Sequence, residues 1–263
     1  VLAGQGTSRY IEKGDLKFIP YHQLYKRLES IHFEGLGDFD GYANRDSLSY
    51  RKVYGLENIP TLLRGTLRRA GYCKAWNVFV QLGMTDDSFE VNFPENSTLR
   101  DFINAFLPYD SQLSVEEKLG ELIQDLDFPT FEKLQWLGFF SDRKLPKTSG
   151  SPASLLQAIL EIDWALGKED RDMIVMQHLF ELETDQGKEM LTSSLVCFGE
   201  DSTYTAMAKT VGLPLAIAVD LFLDGKIKLS GLHLPILPEI YLPILEELEK
   251  RGIVFQEKSE FQP

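Results

Sequence analysis

Met173-Ile174-Val175-Met176-Gln177-His178-Leu179-Phe180-Glu181-Leu182, then Asp185-Gln186-Gly187, then Met190-Leu191-Thr192-Ser193-Ser194-Leu195-Val196-Cys197-Phe198 is the stretch that decides the fold. Ile174, Met176, His178, Phe180 and Leu182 alternate with other side chains at a period of two. That period puts them on one face of a strand, and two such runs joined by a short polar turn with glycine predict a β-hairpin. His178 falls on this alternating face, where a hydrogen-bonded structural imidazole is the commoner role.

Away from the hairpin the period changes to that of helices. Downstream, residues 204–211 read as a helix ended by Gly212, and Pro214 opens a second one through Leu223 that Gly225 stops. A last helix over residues 238–251, with Pro243 as a kink, ends at Gly252 and feeds a strand over residues 253–256. Upstream, Ser151 is placed as an N-cap with Pro152 at the first helical position, ahead of the apolar Leu155, Leu156, Ile159, Leu160 and Trp164 and the stop at Gly167. Residues 84–167 as a whole read as all-helical, with a loop over residues 144–152.

Before that block, Asp46 or Ser47 caps a short helix through Tyr54 that Gly55 closes, and residues 72–82 form a helix closed by Gly83. Between them residues 61–69 alternate as a strand with Leu62, Arg64, Thr66 and Arg68 on one face; a helical reading also aligns Arg64 with Arg68. Residues 1–24 read as strand fragments and turns. Gly4-Gln5-Gly6 lacks the third glycine, the preceding strand and the following helix of a dinucleotide loop, so that reading is rejected. The expected fold is α+β: a mixed sheet from residues 1–70 and the 173–198 hairpin, an all-helical insertion, and C-terminal helices that would complete a Rossmann domain absent from this chain. In domain terms these are residues 1–83 and 168–200 as two parts of a substrate-binding unit, 84–167 as the insertion and 201–263 as the return segment.

The chain has 263 residues, 43% of them hydrophobic, which excludes disorder and fibrous architectures. With 27 basic and 40 acidic side chains it carries −13, which argues against nucleic acid and anionic lipid as partners. The longest nearly unbroken apolar run, residues 211–219, is shorter than the roughly 20 residues of a spanning helix, so no membrane is expected. Cys73 and Cys197 stand far apart in contexts that fit a reducing compartment, with the cytoplasm as default. His22, His32, His178 and His233 show no metal-ligand spacing, and no metal is expected. No G-x-S-x-G elbow is present. The chain begins at Val1 and reads as a piece of something longer.

One region reverses the charge. Residues 44–74 hold Arg45, Arg51, Lys52, Arg64, Arg68, Arg69 and Lys74 against Asp46 and Glu57, a local +5 beside −18 over the other 232 residues. Guanidinium groups grip carboxylate or phosphate in a bidentate fashion, so this cluster points to a small anionic ligand; pairing with the protein's own acids explains it equally.

Asn44-Arg45-Asp46-Ser47, Tyr50, Tyr54-Gly55 and Leu63-Arg64-Gly65-Thr66-Leu67-Arg68 together resemble the substrate domain of the saccharopine dehydrogenase family. That family includes the C-terminal half of animal aminoadipic semialdehyde synthase and fungal saccharopine reductase. Residues 172–176, 206–214, 223–227, 239–241 and 243–245 extend the resemblance, which runs from about residue 40 to the C-terminus and is thinnest over 84–167. It implies an oxidoreductase of lysine metabolism that oxidises the secondary amine of saccharopine with NAD or NADP, giving glutamate and aminoadipate semialdehyde after hydrolysis.

By position, the resemblance makes Arg45, Thr66, Leu67 and Arg68 substrate-binding, with Arg64 a weaker candidate. The family's nucleotide-binding half and its proton-handling residues lie upstream of these motifs, so the cofactor-binding residues are unknown, no catalytic residue is assigned, and an N-terminal nucleotide-binding domain is an implied partner. A homodimer is a further expectation, and a mitochondrial location applies if the chain comes from an animal bifunctional enzyme. Two alternatives stay open: a non-catalytic module binding dicarboxylates or amino acids, and a dehydrogenase of carboxylated polyamines.

Overall fold

The computed structural model describes residues 1–2, 5–185 and 187–262, so Gly4 of the rejected glycine loop and Gln186 of the hairpin turn lie outside the described residues. The chain divides into two units, Val1–Ala165 and Leu166–Pro263.

The first unit opens with an antiparallel pair, β1 (Ser8–Glu12) and β2 (Asp15–Ile19), turned through Lys13 and Gly14. After α1 (Tyr21–Leu24) come β3 (Glu29–Phe33) and β4 (Gly37–Ala43), then α2 (Ser49–Val53) and β5 (Gly65–Arg69). These strands form an antiparallel sheet in the order β3-β4-β5. The strand reading of 61–69 therefore holds from Gly65 onward, and Leu62 bridges Ile11 instead. Asp46 serves α2 by accepting from the amides of Leu48 (2.9 Å) and Ser49 (3.3 Å).

Next follow α3 (Tyr72–Leu82), β6 (Val91–Asn92), α4 (Leu99–Asn104), α5 (Val115–Leu122), α6 (Phe128–Trp136), β7 (Ser149–Gly150) and α7 (Pro152–Asp163). Helix α3 stops at Gly83, which takes the left-handed conformation at φ 76° that glycine adopts without strain. Thr98 and Ser114 begin α4 and α5 with capping boxes, and Ser151 accepts from the Ser154 amide ahead of Pro152. The stretch 84–167 is not purely helical, since β6 pairs with β7 inside the segment expected to be a loop. Trp76, Phe79, Phe102, Phe139, Leu156 and Ile159 meet in one core spanning the early elements and the helical block. Each contributes about 1.5–3 kcal/mol by burial.

The second unit holds β8 (Met173–Thr184), β9 (Gly187–Phe198), α8 (Ala206–Leu223), α9 (Pro238–Glu249) and β10 (Gln256–Gln262). The hairpin is in register from Met173↔Phe198 to Thr184↔Gly187, and β10 pairs antiparallel with β9. The α+β class holds, with the strands spread over several small antiparallel sheets in place of one sheet joining residues 1–70 to the hairpin. The last strand lies at 256–262, beyond the expected 253–256, because Ile253 is drawn into the core with Leu195, Ile217, Leu221 and Leu248.

Helix α8 overrides its own breakers. The sequence predicts two helices split at Gly212 and Pro214, and the structure has one of 18 residues with Pro214 inside it. An interior proline costs about 3 kcal/mol, and keeping Ile217 and Leu221 buried on one continuous face offsets a cost of that size. The opposite face exposes Met207, Val211, Leu215, Val219 and Phe222 at helical spacing. Continuous, α8 is long and apolar enough to cross a membrane by length and composition alone, at a mean hydropathy of 1.7. The nine-residue run counted from sequence understates it.

Candidate functional site

Strands β4 and β5 place the predicted residues. Thr66 lies opposite Tyr42, and Arg68 opposite Asp40. Directly opposed residues share a face, so one side of the sheet carries Asp38, Asp40, Tyr42, Thr66 and Arg68. The other carries Phe39, Gly41, Ala43 and Leu67, with Phe39 and Ala43 buried. Leu67 therefore points away from Thr66 and Arg68; only its backbone shares their side, and its carbonyl already accepts from Arg68 Nη1 at 3.2 Å.

Asp40 is the residue that sequence reasoning missed. Its Oδ2 accepts from the backbone N–H of Gly71 (2.9 Å) and Cys73 (3.3 Å), so a strand carboxylate caps the start of α3 where Gly71 offers no side chain. The signal was present in Gly37-Asp38-Phe39-Asp40-Gly41-Tyr42-Ala43, which alternates polar and apolar at a period of two. Burial, with Asp40 adding to it, pushes the Cys73 thiol up to about 12. The Arg68 guanidinium lies 5.6 Å from the centre of the Tyr72 ring. Burial pushes the Tyr72 hydroxyl up to about 12, and Arg68 works against that rise.

Arg45 sits on the loop between β4 and α2 with φ at 39°. Both sides of that loop are anchored. The Arg9 amide donates to the Arg45 carbonyl (2.7 Å), Arg9 pairs with Asp46 (2.8 Å), and buried Ser47 accepts from the Arg64 amide (2.9 Å). Burial alone would raise the Asp46 carboxyl, and hydrogen bonds from Arg9, Ser49 and Leu48 outweigh it and hold the group below its ordinary value. Arg64 lies one residue ahead of β5, its carbonyl accepting from the Asn44 amide (2.7 Å) and its guanidinium 3.9 Å from the centre of the Tyr50 ring.

Among the described residues, Arg51, Arg64, Arg68 and Arg69 make no ion pair with a carboxylate. Lys74 pairs with Asp127 at 2.7 Å. Arg51 instead donates to the carbonyls of Glu57 and Ile59, and Arg69 donates to the Leu36 carbonyl beside the Phe39 ring. Together with Arg64 and Arg68, these groups meet carbonyl dipoles and rings, which orient a guanidinium without cancelling its charge. Two cavities of the first unit, of about 240 and 260 Å³, have linings that do not include Arg45, Thr66, Leu67 or Arg68.

Among the described residues no group of three or more His, Cys, Asp or Glu side chains is placed to hold a metal. The hydrogen-bonded role expected of His178 is not found there; its ring is exposed and lies 6.1 Å from Phe180 and 6.0 Å from Phe255. A nicotinamide dinucleotide does not fit these residues either. The chain has no G-x-G-x-x-G; β5 runs into α3 through the single glycine Gly71, and β7 runs into α7 through Ser151.

Residues 1–253 match the family model described as the saccharopine dehydrogenase C-terminal domain. The chain belongs to the saccharopine dehydrogenase family. Membership covers residues 1–40 and the helical block 84–167, where the sequence motifs are thinnest. Among curated relatives, mitochondrial alpha-aminoadipic semialdehyde synthase of Mus musculus is 39% identical over 239 residues, 87% of this chain and 25% of the relative. Saccharopine dehydrogenase [NADP(+), L-glutamate-forming] of Saccharomyces cerevisiae is 33% identical over 267 residues, 98% of this chain and 60% of the relative. The solved apo saccharopine dehydrogenase (L-Glu forming) of the same yeast superposes with a TM-score of 0.88 at 31% identity, covering 98% of this chain and 60% of that one. The chain thus spans about a quarter of the animal relative and three-fifths of the yeast protein.

Proposed function

We propose that this chain is the substrate-binding part of a saccharopine dehydrogenase, an oxidoreductase of the CH–NH group in lysine metabolism. In this reading saccharopine is oxidised with NAD or NADP and hydrolysed to L-glutamate and aminoadipate semialdehyde. The observation that carries the reading is the set of guanidinium groups held in place by carbonyls and rings in a family member of net charge −13. Saccharopine bears three carboxylates, and an oriented cation whose charge is not cancelled is what such a ligand requires.

Arg45 and Arg68 bind carboxylates in this reading, with the Thr66 hydroxyl and the Leu67 backbone completing the hydrogen bonds. Arg64, turned onto Tyr50, is secondary. The residues of this chain bind and orient the substrate; since they do not fit the dinucleotide, that group is assigned to a nucleotide-binding domain outside these 263 residues. The exposed stripe Met207, Val211, Leu215, Val219 and Phe222 on α8 is a surface such a domain would cover. The compartment follows the parent architecture: mitochondrial for an animal bifunctional enzyme, cytoplasmic otherwise.

The test is Arg45→Ala and Arg68→Ala in the complete enzyme, assayed by reduced-cofactor absorbance. Losing one charge-assisted carboxylate contact costs about 2–3 kcal/mol, or roughly 30- to 150-fold in kcat/KM for saccharopine per variant. Cofactor KM should stay within twofold. Unchanged kcat/KM in both variants would refute the assignment.

A further inference from the structure

Arg68 lies on β5, an edge strand of its sheet, and its side chain is exposed. An exposed arginine samples many rotamers, and a ligand that has to fix one of them binds more weakly for it. Asp40, directly opposite in the sheet, is turned to the Gly71 and Cys73 amides and makes no ion pair with Arg68 among the described residues. The guanidinium instead meets the Leu67 carbonyl, 3.2 Å from Nη1, and Tyr72, whose ring centre lies 5.6 Å from Cζ. The Tyr72 hydroxyl feels Arg68 too, through its charge and a hydrogen bond that work against the upward push of burial.

Tyr72 is the opposite case, a ring with little freedom of its own. It opens α3 between the two residues whose amides Asp40 accepts from, so the carboxylate fixes the turn that carries it. Trp76, one turn on and only 6% exposed, stacks on it with ring centres 5.8 Å apart and planes at 10°. Trp164, just past the end of α7, lies 6.3 Å from both rings. Two helices thus set the plane of this half-buried tyrosine before any ligand arrives.

We infer that Tyr72 is a positioning residue for substrate binding: it holds the Arg68 guanidinium in one orientation, so that the N–H groups left over are presented together to a substrate carboxylate. The inference rests on the proposed reading of Arg68 as a carboxylate-binding residue. A tyrosine suits the task because ring and hydroxyl orient a guanidinium without cancelling its charge, whereas a carboxylate at position 72 would compete with the substrate. The signature belongs in KM. No carboxylate of saccharopine reacts when its secondary amine is oxidised, so an arginine gripping one contributes alike to the ground and transition states.

The experiment is steady-state kinetics of the complete enzyme with Tyr72→Phe, Tyr72→Leu and Arg68→Ala, and with each Tyr72 substitution combined with Arg68→Ala. Tyr72→Leu should raise KM for saccharopine about three- to tenfold, with kcat and cofactor KM held within about twofold. Tyr72→Phe keeps the ring, loses the hydroxyl and should fall between Tyr72→Leu and wild type. In the Arg68→Ala background Tyr72→Leu should add less than about twofold, since no guanidinium is left to position. An unchanged KM in Tyr72→Leu, or the same rise with and without Arg68, would overturn the inference while the loss in Arg68→Ala still stood. If Arg68→Ala itself leaves kcat/KM unchanged, the assignment of Arg68 fails, and this inference with it. Should Tyr72→Leu not fold, Tyr72→Phe decides: a KM raised about twofold only where Arg68 is present supports the inference, and a KM equal to that of wild type overturns it.

Discussion

Replacing Asp40 by asparagine should move stability and substrate affinity in opposite directions. The Asp40 carboxylate accepts from two amides at the start of α3 and stands opposite Arg68 in the sheet. Asparagine keeps one acceptor oxygen and loses the charge that favours a helix N-terminus, so the folded state should lose about 1 kcal/mol. For a unit of this size that is a fall of roughly 2–4 °C in Tm. The same carboxylate opposes any anion approaching Arg68. Placed about 8 Å from a bound carboxylate at an effective dielectric near 60, it contributes about 0.7 kcal/mol of repulsion, so its removal should lower KM for saccharopine roughly threefold. Thermal unfolding at pH 7 and steady-state kinetics in the complete enzyme read the two effects separately. A KM that rises, with the expected fall in Tm, would show that Arg68 does not face the substrate's charge.

Two further outcomes follow from the caps and helices. Asp127 accepts from the Thr130 amide and pairs with Lys74, and these two partners, Lys74 first, hold its carboxyl at about 2, below the ordinary 3.8. A depressed carboxyl lends stability above its unfolded value that is lost as pH falls through the folded one. Asp127→Ala should therefore cost about 1–2 kcal/mol at pH 7, after discounting for partial exposure, and the Tm gap to wild type should close between about pH 4 and pH 2. A gap constant down to pH 2 would remove the carboxylate's role. Pro214→Ala should stabilise the second unit by about 1–3 kcal/mol in urea unfolding, because Pro214 lies inside one helix. If Pro214 opened a separate helix, the alanine variant would be neutral or destabilised.

The hairpin and α3 were legible because their signals are local and redundant: twelve-residue strands with a consistent period, and a helix ended by glycine. The break at Gly212-Leu213-Pro214 was misread because local propensity was overruled by burial of Ile217 and Leu221, which no window on the sequence displays. Within the site, the shared face of Thr66 and Arg68 followed from period two alone. The placement of Arg64 on Tyr50 and the reach of Asp40 to α3 depend on which elements meet, and so were hidden.

Arg45 is one of two non-glycine residues with positive φ among those described. A side chain there costs about 1 kcal/mol that glycine would be spared. A laboratory selection for heat resistance alone should therefore discard this arginine early, and under the substrate-binding role proposed for Arg45 the sturdier protein it returns would be a disarmed one. Under that proposal, screens meant to harden the parent dehydrogenase need to hold that codon fixed.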